Sequence, residues 1–223
     1  MACSAAVGGD AGVNPRQDAR YGRDAQAAAG SLTKIGAGAA GFDFSKIANN
    51  GSTLGANATL GTATTDWACT KDNVTGLIWE VKTTSGLRSV SHTYTWYSTN
   101  ATTNGGNAGA LGTDTCGGTL AAYSNQCNTQ NYVAAVNAAA LCGATDWRLP
   151  SRRELLTLVH AGATSPSIDG TYFPNTRDTR SHWTSATYSA FPAGAWSVVF
   201  NSGYSGYSYR SFYDYVRLVR VGQ

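Results

Sequence analysis

Four cysteines in the middle of the chain constrain its fold more than any other feature of the sequence. Cys69, Cys116, Cys127 and Cys142 form an even set in a segment rich in Gly, Asn and Thr, which is typical of disulfide-bonded proteins from an oxidising compartment. Four cysteines allow three pairings. Because Cys116 and Cys127 flank a short loop of small and polar residues, we predict the pairs Cys116–Cys127 and Cys69–Cys142. The alternative is a set of free buried thiols. The spacing lacks the Cys-x-x-Cys or Cys/His pattern of zinc sites, so we predict no metal-binding residues among these cysteines.

The fifth cysteine, Cys3, lies in the sequence MACSAA, ahead of a stretch of Gly, Ala and Asp. A bacterial lipoprotein begins its mature chain at a lipidated cysteine followed by such a tether. We therefore expect an exported bacterial protein, either secreted or held at the outer-membrane surface by a lipid on Cys3. The charged and apolar regions of a signal peptide are not visible, and the alternative is a stray thiol near a disordered end.

Charge and hydropathy exclude two classes of partner. The net charge of +3 arises from 16 basic and 13 acidic residues without a Lys/Arg cluster, which argues against binding of nucleic acid through its phosphates. No apolar run is long enough to span a membrane, so we expect membrane contact only through the lipid anchor. Lys, Glu and Met are scarce while Gly, Ser, Thr, Asn and Ala are abundant, as in exported proteins rich in strands and loops.

Local patterns predict an α+β domain with two helices and mainly antiparallel strands. We expect a flexible tether over residues 1–30, an extension with short strands over 31–65, and the main domain over 66–223. The first helix is expected to begin at Asn128 or Thr129. The second should begin at Ser151, because Glu154 completes a capping box. Strand patterns occur in TGLIWEVKT, HWTSAT, AWSVVFN and YVRLVRV, separated by segments that we interpret as Gly/Ser/Tyr loops.

Motifs of catalysis are weak. The sequence GAGAAG (Gly36–Gly41) matches a dinucleotide-binding pattern, but the residues after it end any helix within a few positions, so we expect no cofactor. His92, His160 and His182 lie in unlike contexts and no nucleophile elbow is present. Glu80 and Glu154, the only glutamates, have structural roles in a strand and a helix cap. We therefore do not expect an enzyme. Four tryptophans are predicted to be core residues: Trp79, Trp147, Trp183 and Trp196.

Five motifs, in order along residues 66 to 221, resemble one known family. They are DNVTGLIWEVKT (Asp72–Thr83), ATDWRLPSRRELLTLV (Ala144–Val159), SPSIDGTYFPNT (Ser165–Thr176), HWTSATYS (His182–Ser189) and YVRLVR (Tyr215–Arg220). This pattern is similar to the domain called DUF1566, the C-terminal domain of the Legionella collagen-like (Lcl) adhesins. The resemblance implies a C-type-lectin-like fold of the formylglycine-generating-enzyme subtype, in which GLIWEVK pairs near YVRLVRV.

Two activities of that fold are not carried over to this chain. The formylglycine-generating enzyme relies on cysteines late in its domain, and here no cysteine follows Cys142. The EPN, QPD and WND motifs, by which C-type lectins hold calcium and sugar, are also absent. We therefore expect a binding domain without the oxidase chemistry and without a calcium-dependent sugar site of that type, while a calcium site of another geometry stays an open alternative.

Some proteins of this fold are variable proteins of diversity-generating retroelements. These elements rewrite adenines, so that asparagine codons come to encode Tyr, Ser, Asp, Gly, Phe and other residues, but never Lys, Glu, Gln, Met or Trp. Residues Ser197 to Asp214 are all reachable in this way. Tyrosine offers a large, stiff contact surface, and serine and glycine adapt around it, as in antibody paratopes.

We therefore predict a ligand-binding surface-display protein, diversified over residues 181–215, that binds a protein or glycan on another cell or surface. The alternative is an adhesin of fixed specificity for polyanionic glycans, for which Arg210 would supply a cation. The predicted ligand-binding residues are Tyr188, Phe191, Ser197, Val199, Ser202, Tyr204, Tyr207, Tyr209, Arg210, Ser211, Phe212, Tyr213 and Asp214.

Overall fold

Two antiparallel sheets and three α-helices are found in the part of the chain that the computed structural model describes, residues 21–222. The helices are α1 (Arg23–Ala28), α2 (Thr129–Ala138) and α3 (Arg152–Leu156). The strands are β1 (Phe44–Ala48), β2 (Thr53–Leu54), β3 (Trp67–Asp72), β4 (Leu77–Glu80), β5 (Ser181–Thr187), β6 (Gly194–Val199), β7 (Tyr204–Tyr209) and β8 (Val219–Val221). The predicted α+β class is confirmed, with one short helix more than predicted.

The larger sheet joins the start and the end of the main domain. Its strand order is β2-β1-β3-β4-β8. Strand β8 pairs antiparallel with β4, with Leu77 opposite Val221 and Trp79 opposite Val219. The pairing that the resemblance implied between GLIWEVK and YVRLVRV is therefore present. The extension contributes β1 and β2 to this same sheet, because β1 pairs with β3 over its whole length.

Cys3 and the first 20 residues of the predicted tether lie outside the described residues. Within its described part, the predicted tether contains helix α1 (Arg23–Ala28), which the sequence analysis did not predict. Its sequence RDAQAA is rich in good helix formers. The helix is attached to the next segment at Gly41, whose N–H donates to Asp24 Oδ1 (2.7 Å) and whose carbonyl accepts from Arg23 Nε (2.8 Å).

Both predicted helices begin at the predicted caps. The Asn128 side chain accepts a hydrogen bond from the Asn131 N–H at the start of α2. At the start of α3 Ser151 and Glu154 form the predicted capping box. Such caps satisfy N–H groups that a helix leaves unpaired, and each stabilises a helix by about 1 kcal/mol.

The smaller sheet has the strand order β5-β6-β7. One of its strands was not predicted from the sequence. Residues Tyr204–Tyr209 were interpreted as part of a loop, but they form a strand that pairs with β6 from Val199 opposite Tyr204 to Gly194 opposite Tyr209. Tyrosine favours extended backbone when its ring can pack across strands. The tyrosine-rich segment therefore lies largely on a sheet rather than on a free loop.

Both predicted disulfides are present. Cys69–Cys142 links β3 to the segment after α2 and spans 73 residues, whereas Cys116–Cys127 closes a loop with a separation of 11 residues. The core holds Trp79, Trp147 and Trp183, each at most 2% exposed. Within residues 21–222, no helix has the length and apolarity needed to cross a membrane.

Candidate ligand-binding surface

Six aromatic rings form a continuous row across the smaller sheet, which we call the aromatic strip: Trp196, Tyr188, Tyr207, Phe191, Tyr209 and Phe212. Each ring in this order contacts the next, with centroid separations of 4.9, 4.6, 6.0, 5.3 and 5.2 Å. Strand β6 supplies Trp196, β7 supplies two tyrosines, and the β5–β6 loop supplies Tyr188 and Phe191. Residues distant in sequence thus share one surface.

The outer half of the strip faces solvent. Tyr207, Tyr209 and Phe212 are 48%, 43% and 55% exposed. Side chains alternate along a strand, so Tyr204, which is 67% exposed, lies on the other face of β7 from Tyr207 and Tyr209. Contiguous exposed aromatic surface on a soluble domain marks interaction sites more often than isolated apolar residues do.

One end of the strip is held by helix α3. The Arg152 guanidinium lies 4.0 Å from the centre of the Trp196 ring, and its Nε donates to Ser205 Oγ (2.7 Å). Ser205 Oγ in turn donates to the Ser197 carbonyl (3.1 Å). This chain of contacts connects the helix, the central strand and the edge strand, and it orients Trp196 without burying it.

The structure places the predicted binding residues in three groups. Exposed residues are Ser202, Tyr204, Tyr207, Tyr209, Ser211 and Phe212. Partly exposed residues are Tyr188, Phe191, Val199 and Tyr213. Buried residues are Ser197, Arg210 and Asp214.

Arg210 does not offer a cation to a ligand, which corrects its predicted role. The side chain is 2% exposed and its guanidinium lies 4.2 Å from the centre of the Trp96 ring. It donates to the carbonyls of Gly194, Asn104 and Asn107. Burial lowers the pKa of Arg210, and its contacts fasten the 104–107 loop to the end of β7.

Asp214 and Ser197 are also unsuited to direct contact with a ligand. The backbone of Asp214 exchanges two hydrogen bonds with that of Tyr94 (2.8 and 3.1 Å), and burial raises the pKa of its carboxyl group. Ser197 is 1% exposed and lies in the centre of the smaller sheet. Both residues were predicted from composition alone, which does not distinguish inward from outward positions.

Two residues of this surface were not predicted from the sequence. Trp196 was predicted to be a core residue, yet it is half-buried in the strip. Arg152 carried no predicted binding role. Strand pairing could have identified Trp196 as a member of the strip, because it lies directly opposite Tyr207. That pairing can be inferred only after Tyr204–Tyr209 is recognised as a strand.

The polar residues considered for catalysis lie elsewhere. Glu80 is fully buried, pairs with Lys82 (2.8 Å), accepts from Tyr132 Oη and also accepts from the Leu218 N–H (3.0 Å). Although burial opposes ionisation, these partners hold the pKa of Glu80 below its ordinary value. Glu154 binds Arg148 through both carboxylate oxygens (2.9 and 2.6 Å). Each glutamate thus has the structural role that was predicted.

One cluster among the described residues has the spacing of a metal site: Asp114, Cys116 and Cys127. Its two cysteines form a disulfide. Neither sulfur is therefore available as a thiolate, which is the form of cysteine that binds metals. The cluster does not fit a metal ion.

Comparison with known proteins gives one family match. Residues 68–220 match the family model of the Lcl C-terminal domain. No curated protein and no solved structure matches the chain.

Proposed function

The chain belongs to the Lcl C-terminal domain family, and we propose that it is an exported display protein that binds a protein or glycan ligand through the aromatic strip. We further propose that a diversity-generating retroelement varies the exposed residues of this surface. The observation that carries the proposal is the continuous row of rings on the smaller sheet, of which Tyr207, Tyr209 and Phe212 are the most open.

The composition of the strip suits recognition. Tyrosine and tryptophan dominate the energetics of many protein interfaces, because each adds a large contact area while immobilising few torsions. Their rings are already packed against one another, so little conformational entropy remains to be lost on binding. The hydroxyls of Tyr207 and Tyr209 would supply the polar contacts.

The scaffold supports variation at the outward positions. The residues flanking the strip in sequence, Val198, Phe200 and Val216, are fully buried, and both disulfides lie outside residues 181–215. Exposed side chains contribute little to folding compared with buried ones. Changes at positions 204, 207, 209, 211 and 212 would therefore alter the surface while the core stays constant.

Export is consistent with the two disulfides, which persist in oxidising compartments. We propose a secreted or surface-anchored location, with Cys3 as the lipidated residue if the protein is anchored. A polyanion-binding adhesin is less well supported. The cation predicted for such a ligand, Arg210, is buried, and the Arg152 guanidinium packs on Trp196.

Sequencing of the gene and its surroundings tests diversification. We expect a reverse-transcriptase gene nearby and a second copy of the 3′ coding segment that differs only at adenines. The differing codons should encode exposed residues such as Tyr204, Tyr207 and Phe212. They should spare the buried Val198, Phe200 and Arg210. A locus without a second copy, or differences spread equally over buried codons, would contradict this part of the proposal.

An array printed with neutral glycans, sulfated glycans and extracellular-matrix proteins tests binding. The native chain should bind at least one class of printed molecule, and the variant Tyr207→Ser/Tyr209→Ser/Phe212→Ser should lose at least 90% of the signal. The matched control Ile35→Ser/Val74→Ser also removes exposed apolar side chains (83% and 50% exposed), and it should bind normally. Binding that survives the triple substitution would place the ligand on another surface.

A further inference from the structure

A small cavity lies beside the start of β5, between His182 of that strand and Lys82, which follows β4. Its volume is about 10 Å³, which is about the minimum that holds one water-sized particle. The residues with polar side chains that line it are Lys82, His92, Asn175, Arg177, His182 and Tyr215. The cavity belongs neither to the aromatic strip nor to any contact that the proposed function uses.

The lining is rich in hydrogen-bond donors and positive charge. Lys82 and Arg177 are cations, and the described residues that line the cavity include no aspartate or glutamate, although Glu80 lies directly behind Lys82. The Lys82 ammonium has three N–H groups. Two of them are directed at Glu80 Oε1 (2.8 Å) and Tyr132 Oη (2.9 Å), which leaves one for another acceptor.

Positive charge near the cavity exceeds negative charge. Two buried cations, Lys82 and Arg217, interact with the buried carboxylate of Glu80, and a third, Arg88, interacts with Lys82. Arg88 and Arg217 both act to lower the pKa of Lys82, which burial brings down to about 8. A buried charge without a counter-charge is unfavourable by several kcal/mol.

Two buried groups close to the cavity lack partners among the described residues. His182 lines the cavity, is 2% exposed, and its Nδ1 forms no hydrogen bond. Arg217 is fully buried, and its Nε is also unpartnered, although its terminal nitrogens donate to the Glu80 carbonyl and to Thr176 Oγ1. Burial first, and then the charges of Arg217 and Lys82, hold the pKa of His182 well below its ordinary value.

We infer that this cavity binds a small monatomic anion of the chloride class between Lys82, Arg177 and His182. Such an ion accepts hydrogen bonds from every direction and supplies the negative charge that the cluster lacks. Water satisfies donors equally well but leaves the excess positive charge uncompensated. The ion would hold Lys82, which follows β4, close to His182 at the start of β5.

Halide dependence of the intact protein tests the inference. At constant ionic strength, replacement of sodium gluconate by sodium chloride should raise Tm by about 2–4 °C, and the rise should saturate. Gluconate is too large for the cavity and serves as the matched anion. In crystals grown with sodium bromide, anomalous scattering should show a peak between Lys82 and His182.

Two mild substitutions connect the effect to the cavity. Val90→Ile adds one methylene group to a lining residue and should remove most of the chloride-specific rise in Tm. Arg177→Gln removes an exposed lining cation and should weaken the chloride dependence at least threefold. The control Arg153→Gln removes an exposed arginine on α3 and should respond to chloride as the native protein does.

Equal Tm values in chloride and gluconate, together with no bromide peak, would show that the cavity holds only water, and the inference would be wrong. A chloride effect that persists unchanged in both Val90→Ile and Arg177→Gln would overturn it as well. None of these outcomes bears on ligand binding by the aromatic strip.

Discussion

Tyr188 and Tyr207 stack face to face, with ring centroids 4.6 Å apart and ring planes inclined by 9°. One residue belongs to the β5–β6 loop and the other to the edge strand β7. Aromatic pairs of this kind contribute about 0.5–1.5 kcal/mol beyond the area that they bury. The stack therefore holds the loop against the strand, and the strip is formed before any ligand arrives.

The tyrosines of β7 should be dispensable for folding. We expect Tyr204→Ser/Tyr207→Ser/Tyr209→Ser to lower the free energy of unfolding by no more than about 2 kcal/mol, because all three rings are at least 43% exposed. Urea unfolding followed by tryptophan fluorescence measures the change. Tyr132→Ser is the contrast: its ring is fully buried, and we expect a loss of about 3–5 kcal/mol. A triple variant that fails to fold would show that the β7 tyrosines are structural.

The two disulfides should differ in their contributions to stability. Loop-closure entropy predicts roughly 4 kcal/mol for Cys69–Cys142, which spans 73 residues, and roughly 3 kcal/mol for Cys116–Cys127, which spans 11. We therefore expect Cys69→Ala/Cys142→Ala to be more destabilised than Cys116→Ala/Cys127→Ala in urea unfolding. If Cys116→Ala/Cys127→Ala were the less stable variant, loop-closure entropy would not be the main contribution of these disulfides.

Loss of one charge should destabilise the protein far more in the buried Glu80–Lys82 pair than in the exposed Asp146–Arg220 pair. Glu80→Gln leaves Lys82 without its counter-charge in the core, and we expect a loss of about 3–5 kcal/mol. The control Asp146→Asn breaks the Asp146–Arg220 pair (2.6 Å), in which the aspartate is 54% exposed, and should cost less than about 1 kcal/mol. Thermal unfolding of the two variants decides the comparison. Similar Tm values would contradict it.

Protonation of Glu154 should cause the free energy of unfolding to fall as the pH decreases below 4.5. The hydrogen bonds of Arg148 lower the pKa of Glu154 to about 2 in the folded protein, from an ordinary value of 4.5. Its contribution is thus complete above pH 4.5 and is lost as the pH falls towards 2. Because Arg148 is partly exposed, we expect this contribution to be roughly 1–2 kcal/mol rather than the full electrostatic value.

Urea unfolding at several pH values measures that contribution. The variant Glu154→Gln should show a weaker loss of stability between pH 4.5 and 2 than the native protein. Parallel pH profiles for the native chain and Glu154→Gln would contradict the role of this carboxylate.

Local chemistry explains which parts of the fold the sequence could predict. Asn128 and Ser151 cap helices through bonds to residues three positions away, so their roles are visible in short motifs. Cys116 and Cys127 flank a short loop, and that proximity led to the correct pairing. The family resemblance added the contact between β4 and β8, which spans more than half of the chain.

Long-range contacts explain the parts that the sequence could not predict. Arg210 looks like a surface cation in its Tyr/Ser context, but Trp96 and the carbonyls of Asn104 and Asn107 lie more than 100 residues away. Tyr204–Tyr209 becomes a strand only because β6 pairs with it. The same pairing turns Trp196 towards the strip. The alternation of polar and apolar residues along Tyr204–Tyr209 was too weak to predict the strand or the position of Trp196.

The order of segments along the chain has a consequence for quality control during synthesis. A ribosome completes β8 only after it has translated every codon of the segment Ser197–Asp214, and β8 is the last strand of the larger sheet. A stop codon or frameshift in that segment deletes β8 together with the buried Val216 and Leu218. The truncated product would expose one edge of β4 and become a substrate for proteases, so defective genes would yield no folded protein.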